Sequence, residues 1–271
     1  MTKEKYLNFI LITYLIFIFV FIFTPIAFSV IFSFNSQRFP TIPLGNFSLE
    51  WYIKIFNDPG VWQAAINSVI VSLVTCILAT FLGFCTAYSD YRYRFKFKGL
   101  YLALVLLPPT IPLIILALAM LAWLSKIGMS GQLWSIICAH SVLTAPFAMA
   151  IIRLRLNQID PDLESAAWNL GGSEWATMRY VILPYCKPAI ISSLCLTAAV
   201  SFDEFAISWF VSGLNKTVPV IILEIVQGNI DPQVNAIGTF VFFTSMTLVI
   251  TAQIFFLTWQ MKGKKNKCHI N

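Results

Sequence analysis

The chain has 271 residues, 58% hydrophobic and only 11% charged, with a formal net charge of +6. A charged share less than half the roughly 25% usual in soluble proteins excludes a water-soluble domain. No G-x-x-x-x-G-K-[S/T] stretch occurs, so the chain carries no phosphate-binding loop of an ATPase.

A helix that crosses a bilayer needs about 20 mainly apolar residues. Six such stretches occur, over 7–34, 61–88, 100–124, 133–152, 188–211 and 237–261. They predict an all-α integral membrane protein with one domain, 1–271, and no appended soluble catalytic domain. The first stretch is far longer than the apolar core of about 7–15 residues in a signal peptide, and reads as a retained helix. In the third, Leu107-Pro-Pro-Thr-Ile-Pro112 predicts a broken, kinked helix. The outer segment 212–235 is too short to span and reads as an outer or re-entrant helix. Its Glu224 reads as a solvated acid.

Fourteen of the eighteen Lys and Arg residues fall in alternate segments: before the first span, between the second and third, over 153–187, and after the sixth. Basic residues concentrate on the cytoplasmic side. This predicts both termini and the 153–187 loop in the cytoplasm, and explains the positive charge without nucleic acid. The six cysteines read as small apolar packing residues, with no CxxC spacing for a metal. His140, alone inside a span, reads as an interhelical hydrogen-bonding group.

The loop between the fourth and fifth spans is polar and organised. Asp160 suits an N-cap, Pro161 the first helical position and Asp162 the first turn. Gly171 suits the left-handed residue that stops a helix. Ser173 then caps a second helix, which Pro184 and Pro188 end or bend. Leu163, Ala166, Ala167 and Leu170 form an apolar stripe at helical spacing. A short helix with an acidic first turn and small alanines on its apolar face is a poor membrane anchor. It is a better knob for a groove in a partner protein.

This loop resembles the E-A-A motif of ABC-importer permeases, in which a Gly follows the Glu by six residues and I-x-L-P comes after. Ala166, Ala167, Gly171, Leu183 and Pro184 match at the family spacing; Ser165 replaces the Glu, with Glu164 one residue early, and Val181 replaces the Ile. Fragments at 33–39, 50–52, 91–95, 210–213 and 232–236 are similar to the C-type permeases of spermidine/putrescine importers. The resemblance implies a type I importer fold of six spans and a coupling helix around 164–171. It implies a cytoplasmic ATPase dimer that holds the ATP-Mg, a second permease subunit and an extracytoplasmic binding protein. No cofactor, catalytic residue or metal belongs to this chain. The implied location is the bacterial cytoplasmic (inner) membrane, and the implied mechanism is alternating access.

Asp203 and Glu204 lie in the fifth span. An acid at a helix centre costs roughly 2.5–3.5 kcal/mol in lipid, so neither is expected to face it. On one helix their side chains diverge by about 100°. One acid then lines a pathway while the other holds a neighbouring helix. Phe202, Phe205 and Trp209 recur nearby, and aromatic faces beside carboxylates suit an organic ammonium. The alternative is that the acids pair with a partner permease and the aromatics only pack. The resemblance associates this acidic pair with polyamine passage and places Trp51 on the outer side, as a substrate contact or an interfacial anchor. Thr110 replaces a further acid of the family. Competing readings are the same machinery for a thiamine-like amine, an aminophosphonate or ferric iron, an intramembrane hydrolase, or a stand-alone channel.

Overall fold

In the computed structural model, residues 3–37, 45–228 and 232–247 are described. Among them the architecture is helical, with one isolated antiparallel bridge between Asn35 and Phe47. The C-terminal part of the expected sixth span, the basic tail with Cys268, and Arg38 lie outside the described residues.

The chain divides into two units, Met1–Pro59 with Ile222–Asn271, and Gly60–Ile221. The first contains α1 (Lys3–Ser33), α2 (Glu50–Phe56) and a helical stretch over 233–247. From Tyr6 to Phe23, α1 is mainly apolar and exposed around nearly all its circumference, as a lipid-facing span requires. Its C-terminal end is fastened by polar and aromatic contacts. Ser33 and Tyr52 share a 2.8 Å hydroxyl hydrogen bond, Ser29 donates to Asn235 at 3.4 Å, and Phe34 stacks between Phe47 and Tyr52.

The second unit contains α3 (Pro59–Arg92), α4 (Lys98–Leu106), α5 (Leu113–Lys126), α6 (Leu133–Leu156), α7 (Pro161–Asn169), α8 (Glu174–Thr177), α9 (Leu183–Asp203), α10 (Ala206–Val211) and the start of α11 (Val218–Gly228). Among the described residues, four helical segments are long and apolar enough to cross a membrane: Lys5–Ser33, Pro59–Arg92, Leu133–Leu156 and Glu174–Asp203. The expected third span is in two pieces. Leu107 starts no new turn of α-helix, Pro108–Thr110 form a 3-10 turn, and Ile111 is extended before α5. Pro108, Pro109 and Pro112 lack the N–H groups that an unbroken ladder needs.

Small residues let the helices approach closely, the usual basis of packing in lipid. Ala79, Gly83 and Ala87 recur every fourth residue on α3, and a Cβ on Gly83 would lie 2.6 Å from the Met149 backbone nitrogen of α6. Ser193, Thr197 and Ser201 form a buried stripe on α9, where the Ser193 hydroxyl donates to the Ala148 carbonyl of α6 at 3.4 Å. Ile207 and Val211 of α10 enter an apolar cluster with Leu116, Met120 and Leu124 of α5 and Ile136 of α6.

Pro184 and Pro188 were expected to end or bend a second loop helix. The chain instead stays helical from Glu174 to Asp203, with a π-helical turn at Met178–Ile182 just before Pro184. A proline ring collides with the carbonyl four residues earlier, and the wider π turn relieves that collision. The fifth span therefore starts upstream of residue 188.

Candidate functional site

The acidic pair sits at a break in the chain rather than along one helix. α9 ends at Asp203, Glu204 is extended at φ −74° and ψ 117°, and α10 begins at Ala206. The two carboxylates consequently have opposite environments. Asp203 is exposed, and its carboxylate has no hydrogen bond or ion pair among the described residues. Glu204 is 8% exposed and turns inward.

The Glu204 carboxylate receives the first free N–H groups of α10. Ile207 donates to it at 2.9 and 3.1 Å and Ser208 at 3.2 Å. These are orphan donors of a helix start, and an acid beside them also meets the positive end of the helix. His140 Nε2 lies 3.3 Å from the same carboxylate. The ring is fully buried and bridges three helices, with Nδ1 2.9 Å from the Ser201 hydroxyl and Nε2 3.0 Å from that of Ser208. Here His140 is an interhelical hydrogen-bonding group and not a solitary one. Phe202, Phe205 and Trp209 are half-buried around the break, and the rings of Phe205 and Trp209 lie 6.0 Å apart. Exposed Asp203 beside these rings is an arrangement that can receive a cation. Buried Glu204 shapes the break.

Trp51 belongs to the other unit. It is half-buried on α2, its indole N–H donates to the Asn35 carbonyl at 2.8 Å, and Lys54 lies 5.5 Å above its ring.

The loop between α6 and α9 has the local form that its sequence dictates. The Asp160 side chain accepts from the Asp162 N–H at 3.0 Å and Pro161 opens α7. Gly171 has φ +81°, Gly171 N–H donates to the Trp168 carbonyl at 2.8 Å, and Gly172 N–H to that of Ala167 at 2.9 Å. This pair of bonds is the Schellman ending of a helix, in which the left-handed position favours Gly. Ser173 caps α8 by accepting from Ala176 N–H at 3.2 Å. Leu163, Ser165, Ala166 and Leu170 are exposed, Leu170 at 89%, while Ala167 and Leu183 are half-buried and Pro184 is exposed.

Glu164 points the other way. It is 5% exposed, accepts from the Tyr91 hydroxyl at 2.6 Å, and pairs with Arg92 at 3.4 Å. Sequence spacing placed it beside the docking positions but gave no sign of these partners, which lie more than seventy residues away on α3. The signal available was the polar run Asp90-Tyr-Arg92 at a helix end. The extended residue at 204 was equally hidden, because neither Gly nor Pro marks it.

Residues 79–259 match the family described as binding-protein-dependent transport system inner membrane component. Among curated proteins, the chain is 34% identical over 238 residues to the spermidine/putrescine transport system permease protein PotC of Haemophilus influenzae, covering 88% of this chain and 92% of that one. It is 27% identical over 260 residues to the putrescine transport system permease protein PotI of Escherichia coli, covering 93% and 90%. Its fold is similar to that of a bacterial ABC transporter involved in import of the acidic polysaccharide alginate, with TM-score 0.75 and 17% identity over 93% of this chain and 95% of that one. The all-helical fold, the long apolar helices and these matches make the chain a multi-pass permease subunit of an ABC importer, a member of the binding-protein-dependent transport system inner membrane components.

Proposed function

We propose that this chain is one of two permease subunits of an ATP-driven polyamine importer of the bacterial inner membrane, with both termini in the cytoplasm and six spans. The observation that carries the substrate class is the exposed carboxylate of Asp203 at the α9–α10 break, beside half-buried Phe202, Phe205 and Trp209. An acid in a span is too costly to leave in lipid. A water-filled pathway shared with a second permease gives it a place, and a primary or secondary ammonium gives it a partner. The aromatic faces add cation–π attraction for the same ligand. The identity to spermidine/putrescine and putrescine permeases supports this chemistry. Trp51 is an outer substrate contact or anchor in the same reading.

The α7 turn is the docking element for a partner ATPase dimer. Its exposed face of Leu163, Ala166 and Leu170 is apolar and small, suited to a protein groove. ATP-Mg is bound and hydrolysed on that partner, and a binding protein delivers the solute. ATP-driven movement of the docked helix then opens the spans alternately to the two sides around the acidic break.

Competition tests the substrate class. In cells that express the whole importer, uptake of labelled spermidine is expected to fall with excess unlabelled putrescine or spermidine. It is expected to be indifferent to 2-aminoethylphosphonate, thiamine and ferric iron. Importer-dependent uptake of one of these three, with no importer-dependent uptake of labelled spermidine or putrescine, would reject the polyamine reading.

A further inference from the structure

We infer that the last turn of α3, Asp90-Tyr91-Arg92, is a clamp that makes α7 and the bundle move together, with Glu164 as its positioning residue. The inference rests on α7 being the ATPase-docking helix. It assigns Glu164 to the transmission of force rather than to contact with the ATPase.

The geometry separates two faces of α7. Leu163, Ala166 and Leu170 are exposed on one side. Glu164 and Trp168, one helical turn apart, face α3 on the other. Arg92 meets both, with Nη1 3.4 Å from Glu164 Oε2 and its guanidinium 4.7 Å from the Trp168 ring centroid. It also reaches over the Gly171 turn to Glu174 of α8, at 3.5 Å. Glu174 is 77% exposed, and an exposed ion pair contributes little. The buried contacts decide: the Tyr91 hydroxyl at 2.6 Å and Arg92 both bind a Glu164 side chain that is only 7% accessible. Hydrogen bonds to an ionised group are the strong ones, and breaking one that is buried is costly.

The same turn of α3 is tied to the bundle on its other side. Successive helix positions point about 100° apart, so Asp90 faces away from the residues that hold α7. Asp90 is 6% exposed and pairs with Arg153 at the end of α6, at 2.5 Å, and with Lys98 at the start of α4, at 3.0 Å. Three consecutive residues thus connect the docking helix to α3, α4 and α6. The clamp supplies a lateral route into α3.

The test uses the complete complex, with its ATPases, second permease and binding protein, reconstituted in proteoliposomes. Tyr91→Phe removes one oxygen, and Glu164→Gln removes the charge while keeping the shape. Both variants are expected to retain the ATPase on co-purification. Labelled spermidine moved per ATP hydrolysed is expected to fall about tenfold in Tyr91→Phe, the loss of one charge-assisted hydrogen bond, and at least as far in Glu164→Gln, which also gives up the Arg92 ion pair. The double variant is expected to be no worse than Glu164→Gln alone, because the Tyr91 hydroxyl acts only through Glu164. Faster hydrogen exchange of the α7 amides should accompany the loss. A wild-type ratio in both single variants, or losses that multiply in the double variant, would overturn the clamp. Gly171→Val tests the reading beneath it. That change strains the left-handed turn and should release the ATPase. Full ATPase retention there would reject docking at α7, a result distinct from failure of the clamp.

Discussion

Replacing Asp203 by Asn is expected to lower polyamine uptake about thirtyfold or more while leaving the importer assembled. The side chain ends α9 in an exposed position and makes no bond among the described residues, so the fold loses nothing with its charge. An ammonium in the pathway loses its ion partner, and a thirtyfold loss corresponds to about 2 kcal/mol. Uptake kinetics on membranes with matched amounts of complex provide the measurement. Asp203→Glu is expected to recover much of the rate because it retains the charge. Normal uptake by the Asn variant would remove Asp203 from the pathway.

The adjacent acid should behave differently. Glu204→Ala strips the N–H groups of Ile207 and Ser208 of their acceptor and takes a partner from fully buried His140. Breaking a buried charged contact costs about 3–5 kcal/mol. For a chain of this size that corresponds to a fall on the order of 10 °C in unfolding temperature. The loss appears as lower stability and yield of the purified complex, before any question of substrate. Glu204→Gln keeps an acceptor for α10 and should fall between the two. A Glu204→Ala complex as stable as the wild type, with uptake abolished, would exchange the roles of the two acids.

Sequence and structure agree most closely where a local rule acts alone. Asp160, Pro161, Gly171 and Ser173 each satisfy a backbone requirement within four residues of themselves, and each is found doing so. The break at 107–112 was legible because proline cannot donate a hydrogen bond. The long apolar helices were legible from length and composition. What depends on distant partners was not. Glu164 looked like a surface acid near the docking positions until α3 placed Tyr91 and Arg92 against it. Asp203 and Glu204 looked like two points on one helix, whereas Glu204 leaves the helix to cap the next one. Pro184 marked the place of the π turn but not its form, since a single-residue widening leaves the apolar pattern unbroken.

Passage of an organic polycation over Asp203, driven by a partner ATPase, is the expected work of this permease. Proteoliposomes holding the complete importer, loaded with ATP-Mg on the side of the ATPases and given substrate-bound binding protein on the other, measure it most directly. Accumulation of labelled spermidine or putrescine is predicted with the wild-type chain. Omission of ATP should abolish it, and Asp203→Asn should nearly do so. ATP-independent flux, or accumulation that is indifferent to the Asp203 charge, would rule out ATP-driven passage over this carboxylate.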